Sequence, residues 1–177
     1  MAITNLSEII SILVVTLVLG YIFSGYIKVF REDFVKNFKF AILVTAPAVI
    51  LHELGHKFAA IAFGVSAYFK MWTFGLILGI VLRLFHSPFL ILAPGYVNIT
   101  EVIPPHQLAI VAFAGPLVNL ILWVGASLML KKRRLKKKTF IALHLTKLIN
   151  MWLFIFNMLP IPPLDGSKVF GYLFGLI

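Results

Sequence analysis

The chain has 177 residues, of which 61% are hydrophobic and only 12% charged, a balance outside soluble globular usage and inside that of integral membrane proteins. It contains no cysteine, which excludes a disulfide framework, a thiolate metal site and a cysteine nucleophile, so any metal ion must be held by His, Asp or Glu. The formal charge of +10 does not point to nucleic acid, because 7 of the 16 basic residues lie in KKRRLKKK at 131–138, between two apolar runs; a short basic loop of that kind sets topology or meets anionic lipid head groups.

In chain order, the first apolar segment runs from Leu6 to Ile27, enough for the about 20 residues that a helical bilayer crossing needs. No basic segment precedes it and no small-residue cleavage site is evident, so it reads as a retained helix. Ser7 is its expected cap, with Glu8 near the positive end of the helix dipole. Glu8, Glu32 and Asp33 fall at the ends of this helix, where water is expected to solvate them. The second span, Phe40 to Val65, carries Pro47, which predicts a kink. From Ser66 to Pro105 the chain is apolar but interrupted by Gly75, Gly79, Pro88, Pro94, Gly95, Pro104 and Pro105. Its stretches AYFKMWTF and PGYVNITEVI favour short strands or a hairpin over another continuous helix. Open strand edges cannot face lipid, which puts this segment at the interface or beside a protein cavity. The third and fourth spans run from Gln107 to Leu130 and from Thr139 to Leu159, and the apolar piece from Val169 to Ile177 is too short to cross. The expected fold is an all-α membrane protein: a polytopic bundle of about four transmembrane helices, with a short membrane-associated β-hairpin region between the second and third, in a single domain over residues 1–177.

Within the second span, HELGH at 52–56 places ionisable groups where lipid is expected. On a helix, His52 and His56 are one turn apart on one face, the spacing at which two imidazoles share a tetrahedral ion. The H-E-x-x-H pattern adds a carboxylate, Glu53, able to take a proton from an attacking water. In soluble helices such residues also occur simply facing water; inside a membrane helix they are costly and mark a functional site. A third ligand must come from elsewhere, and the chain has only six acids: Glu8, Glu32, Asp33, Glu53, Glu101 and Asp165. Asp165 is the strongest candidate. It follows the fourth span in NMLPIPPLDG at 157–166, where prolines forbid a regular helix and leave backbone carbonyls that membrane depth tolerates only beside a cavity or water. Asp165-Gly166 also reads as a turn just outside the bilayer.

HELGH in the second span, AGPLVN at 114–119 in the third and NMLPIPPLDG after the fourth together resemble the site-2 protease family of intramembrane zinc metalloproteases, peptidase family M50, over roughly residues 40 to 168. The resemblance implies that His52, His56 and Asp165 bind Zn2+ and that Glu53 is the catalytic base; APGYV at 93–97 is similar to the family's membrane-associated strand region. Zinc chemistry of that kind polarises the scissile carbonyl while Glu53 moves a proton from water to the leaving amine. Asn119 or Asn157 is expected to stabilise the oxyanion, with Asn119 favoured because it lies one turn beyond Gly115 and Pro116. An interhelical hydrogen bond is the alternative role for either. The implied substrate is a transmembrane protein or peptide within the lipid bilayer, held extended by strand addition to the 66–101 region. No nucleic-acid partner is expected, and the oligomeric state is not legible. The expected location is multi-pass, in the cell membrane. In 177 residues no PDZ-like or CBS-like extension fits, so substrate choice is expected from the membrane domain or a partner. The rival function is a metal-binding transporter or channel, since intramembrane ionisable residues also mark ion paths.

The remaining polar residues have plain readings. Lys57 is expected to snorkel toward an interface or wet cleft, His86, His106 and His144 to be interfacial or packed, and Trp72, Trp123 and Trp152 to anchor and pack. The loops after the first and third spans carry Lys28, Arg31, Lys36, Lys39 and the seven bases of 131–138. The positive-inside rule puts these loops in the cytoplasm and HELGH toward the other side, whereas the family resemblance implies zinc nearer the cytoplasmic face.

Overall fold

The structure, a computed structural model, describes residues 5–31, 33–87, 94–132 and 134–176; Glu32, Pro88, Ala93, Arg133 and Ile177, named above, lie outside the described residues. The elements follow the chain as α1 (Leu6–Ser24), α2 (Phe34–Ala62), β1 (Ala67–Met71), α3 (Thr73–Leu84), β2 (Gly95–Ile99), α4 (Pro105–Leu130), α5 (Lys137–Asn157) and α6 (Asp165–Leu173). Helices α1, α2, α4 and α5 are long and apolar enough to cross a membrane, and the chain is a multi-pass membrane protein. Leu13, Leu17, Leu43, Ile121 and Trp152 are each more than half exposed, a belt of large apolar surface that water does not tolerate and lipid covers.

Capping sets where these helices begin. Asn5, not Ser7, caps α1: its Oδ1 accepts from Glu8 N at 2.8 Å, while Ser7 Oγ donates to the same oxygen at 2.7 Å. Asp33 caps α2 by accepting from Lys36 N at 2.9 Å, so α2 starts at Phe34 instead of the apolar boundary at Phe40. The helix continues through polar residues because its cap, not lipid, supplies the missing partners. At 29 residues, α2 is about 44 Å long, against a hydrocarbon core of about 30 Å.

The main packing runs α1 on α2, α2 on α4 and α4 on α5, with α6 against α4. One buried cluster, Val15, Leu19, Phe69 and Leu76, joins α1 to β1 and α3. The other, Ile27, Phe40, Ala41 and Val44, is covered by Ile141 and Leu145 of α5. Strands β1 and β2 pair antiparallel, from Ala67 opposite Ile99 to Met71 opposite Gly95, as the strand-rich composition predicts. This is the expected β-hairpin region between the second and third spans, and the connection between its strands contains α3. Gly75 and Gly79, read from the sequence as helix breakers, sit four apart on the buried face of α3 beside Leu76. There the missing side chains permit close packing.

The bundle therefore has two unlike ends. The 25–33 connection and the start of α5 meet at one, where Lys138 Nζ lies 4.7 Å above the Phe30 ring. The sheet, the C-terminal part of α2 and α6 gather at the other.

Candidate metal centre

His52 and His56 project from the C-terminal part of α2 toward α4, and the break after α5 brings a carboxylate to meet them. Residues 158–164 do not continue the helix, and α6 restarts at Asp165, so the carboxylate stands at a helix N-terminus, where the dipole favours negative charge. Gly166 makes this turn possible: a Cβ there would come within 2.5 Å of the Met158 and Leu159 carbonyl oxygens.

Asp165 Oδ2 lies 3.3 Å from His52 Nε2 and 3.3 Å from His56 Nε2, and the two Nε2 atoms are 3.1 Å apart. Three donors sharing one tetrahedral ion with bonds of about 2.0–2.1 Å are separated by about 3.3 Å. The opposite ring nitrogens fix which atoms face the centre. His52 Nδ1 lies 2.6 Å from Asn119 Oδ1 and His56 Nδ1 lies 2.7 Å from the Val111 carbonyl. Both partners can only accept, so both Nδ1 atoms carry the hydrogen and both Nε2 lone pairs point inward. Two neutral imidazoles and a carboxylate, with no thiolate, form a donor set suited to zinc.

The AGP segment of α4 makes room for this convergence. A Cβ on Gly115 would collide with Nε2 of both histidines, and one on Gly55 would come within 2.8 Å of the Ala114 carbonyl oxygen. Glycine on each helix lets α2 and α4 approach closely around His52 and His56. His52, His56, Asp165 and Glu53 border a cavity of about 580 Å³, whose wall includes Val97 on β2, Asn157 and Lys168.

His52, Glu53, His56 and Asp165 are thus brought together, while Glu101 stays exposed just beyond β2, its Oε1 accepting from Ser66 N at 3.4 Å. Asn119 has a different position from the one expected of an oxyanion donor. It is fully buried behind His52, and its Nδ2 donates to the Ala48 carbonyl and to Asn150 Oδ1, both at 2.9 Å. Both N–H groups are engaged, which leaves none for a substrate. Asn150, unremarked in the sequence, completes this network by donating to the Thr146 carbonyl at 2.8 Å. Its only signal was polarity in the middle of an apolar span.

A second correction concerns Glu8 and Lys57. Neither meets water: each is 1% exposed, and Lys57 Nζ donates to the two Glu8 carboxylate oxygens at 2.6 and 2.7 Å. Glu8 Oε1 also accepts from Phe69 N at 2.9 Å, which ties α1, α2 and β1 together. His86, His106 and His144 are exposed and take no part in the cluster.

Comparison with known proteins agrees with this geometry. The model of peptidase family M50 matches residues 39–133. A protein of Methanocaldococcus jannaschii that bears the name zinc metalloprotease is 36% identical over 165 residues, 92% of this chain and 82% of that protein. The chain belongs to peptidase family M50. Two further relatives with the same designation match this M50 chain: one from Synechocystis at 32% identity over 72% of the chain, and a second from M. jannaschii at 28% over 71%. The chain spans only 29% and 34% of the length of these two. No solved structure matches.

Proposed function

We propose that this M50 zinc metallopeptidase works as an intramembrane protease in the cell membrane, hydrolysing a peptide bond within or near the transmembrane segment of a protein substrate. The observation that carries this reading is the inward convergence of His52 Nε2, His56 Nε2 and Asp165 Oδ2 beside Glu53, at a cavity bounded by membrane-spanning helices.

His52, His56 and Asp165 would hold the zinc ion. Bound there, zinc supplies a Lewis acid that polarises the scissile carbonyl and makes water acidic enough to attack near neutral pH. Glu53, next to His52 on the cavity wall, takes the proton from the attacking water and returns it to the leaving amine. Asn119 and the Val111 carbonyl hold the two imidazoles in the Nδ1–H tautomer, which keeps both Nε2 atoms available as ligands. Asn119 is therefore a positioning residue. The oxyanion donor proposed in its place is Asn157, which borders the cavity and whose Nδ2 is bonded at 3.0 Å to Leu153 O. That bond uses one of its two N–H groups.

A helical substrate must be unwound before it is cut. Strand β2 borders the cavity and among the described residues pairs only with β1; its Val97 N–H is hydrogen-bonded to the Glu53 carboxylate, and the other backbone groups facing away from β1 offer partners to an extended segment. Proline placed along that edge should abolish cleavage and leave zinc content unchanged; normal cleavage rejects this part.

The decisive experiment compares Glu53→Gln, His52→Ala and Asp165→Ala with the parent enzyme. Glu53→Gln should retain zinc and lose cleavage by about 10²–10⁴-fold, whereas the two ligand variants should lose zinc. Metal flux through reconstituted vesicles, without any proteolysis by the parent, would identify a transporter instead.

A further inference from the structure

At the end of the bundle remote from the metal centre, the last turns of α1 and α3 and the start of α2 enclose a second cavity of about 530 Å³, bordered by Lys28, Arg31, Phe34, Asn37, Arg83 and His86. We propose that this cavity binds the phosphate of an anionic phospholipid head group through Lys28, Arg31 and Arg83.

The basic side chains here are assembled, not scattered. Arg83 stacks with Cζ 4.2 Å from the centre of the Tyr21 ring, and its Nη1 donates to the Tyr21 carbonyl at 2.5 Å. Gly25 gives it room, since a Cβ there would come within 3.1 Å of Arg83 Cζ. The guanidinium has five N–H groups, so donors remain for a ligand. Asn37 shapes the turn that carries Lys28 and Arg31: its Oδ1 accepts from Val29 N and Phe30 N at 2.9 Å, and its Nδ2 donates to the Arg31 carbonyl at 3.1 Å. Arg31 and His86 are the two non-glycine residues with positive φ among the described residues, at 45° and 51°. Both border this one cavity. Left-handed backbone is uncommon outside glycine and persists where surrounding structure imposes it.

No carboxylate among the described residues pairs with these cations, and Asp33, the nearest acid along the chain among them, is taken by Lys36 at 2.7 Å. The C-terminal ends of α1 and α3 offer about half a negative charge each. Against Lys28, Arg31 and Arg83 this leaves a positive balance among the described residues, which suits a phosphate. The surroundings select a source with an apolar tail, because Phe34, Val35, Leu84 and Phe85 beside the cavity are all more than half exposed.

The test uses the full chain in phosphatidylcholine nanodiscs, titrated in one arm with fluorescent phosphatidylglycerol and in the other with inorganic phosphate. Phosphatidylglycerol should bind saturably, and Lys28→Gln/Arg31→Gln, two exposed positions outside the helices, should weaken it roughly tenfold without moving the thermal midpoint. Arg83→Gln should weaken binding by a similar factor while also lowering the thermal midpoint, since it gives up the contacts with Tyr21, and Lys131→Gln/Lys132→Gln, in the other basic loop, should change binding less than twofold. Phosphate binding that shows the same dependence on Lys28 and Arg31 supports the site with a free anion as its source. Undiminished phosphatidylglycerol binding by Lys28→Gln/Arg31→Gln, or an equal loss in Lys131→Gln/Lys132→Gln, overturns the proposal.

Discussion

Helix α2 carries two buried polar clusters on successive residues, His56 facing the metal centre and Lys57 facing Glu8, and they are opposite solutions to one problem. The Glu8–Lys57 pair is closed. One positive and one negative charge meet at 2.6 Å, and the carboxylate also receives the Phe69 N–H. In the metal cluster the donors have been turned away. Both Nδ1 hydrogens point outward to Asn119 and Val111, leaving three lone pairs directed at one point. Burial of charge is tolerable when charges cancel within the protein; where only acceptors converge, a cation is needed to complete the set. Buried ionisable groups in a membrane helix thus divide by balance of donors and acceptors, and only the unbalanced set can work as a metal site.

The sharpest way to break this contrast is Gly115→Ala. Its Cβ collides with both Nε2 atoms, so zinc measured on the purified protein should fall to background while the Glu8–Lys57 pair and the fold persist. Full zinc occupancy in that variant would mean that the ligands do not meet where α4 approaches. Next in size is Lys57→Met, which strands the Glu8 carboxylate inside the protein and should cost about 3–5 kcal/mol of stability. Zinc affinity should change little, a combination that thermal unfolding beside metal titration resolves. Asn119→Ala should act the other way, lowering zinc affinity by about 10–100-fold through loss of His52 orientation, with a shallower loss of stability. The smallest effect is expected of the double variant Glu8→Gln/Lys57→Met. Removing both charges together, with an acceptor kept for Phe69 N, should recover most of the stability lost by Lys57→Met alone; a double variant no better than the single one would show that the pair is not self-contained.

Much of this protein is local and could be read from residue order. Hydropathy finds the four spans because the bilayer sets their length. The four-residue spacing of His52 and His56 forms half of a metal site on any helix. Asp165 stands out because prolines end the preceding helix and free a carboxylate at depth. Helix α3 was obscured because Gly75 and Gly79 signal a break in isolation and close packing in context. The Glu8–Lys57 pair was equally hidden, since each residue alone reads as a solvated or snorkelling charge.

Sequence by itself determined the solvent of the protein, the number of its apolar spans and the placing of His52 and His56 on one helix face, because each depends on composition or on spacing within a single helix. Tertiary structure alone decided what Asn119, Asn150, Glu8 and Lys57 do. Their partners on other elements lie 31 to 71 residues away along the chain, and at that separation only the packing of whole helices determines whether a polar group meets a ligand, a counter-charge or lipid.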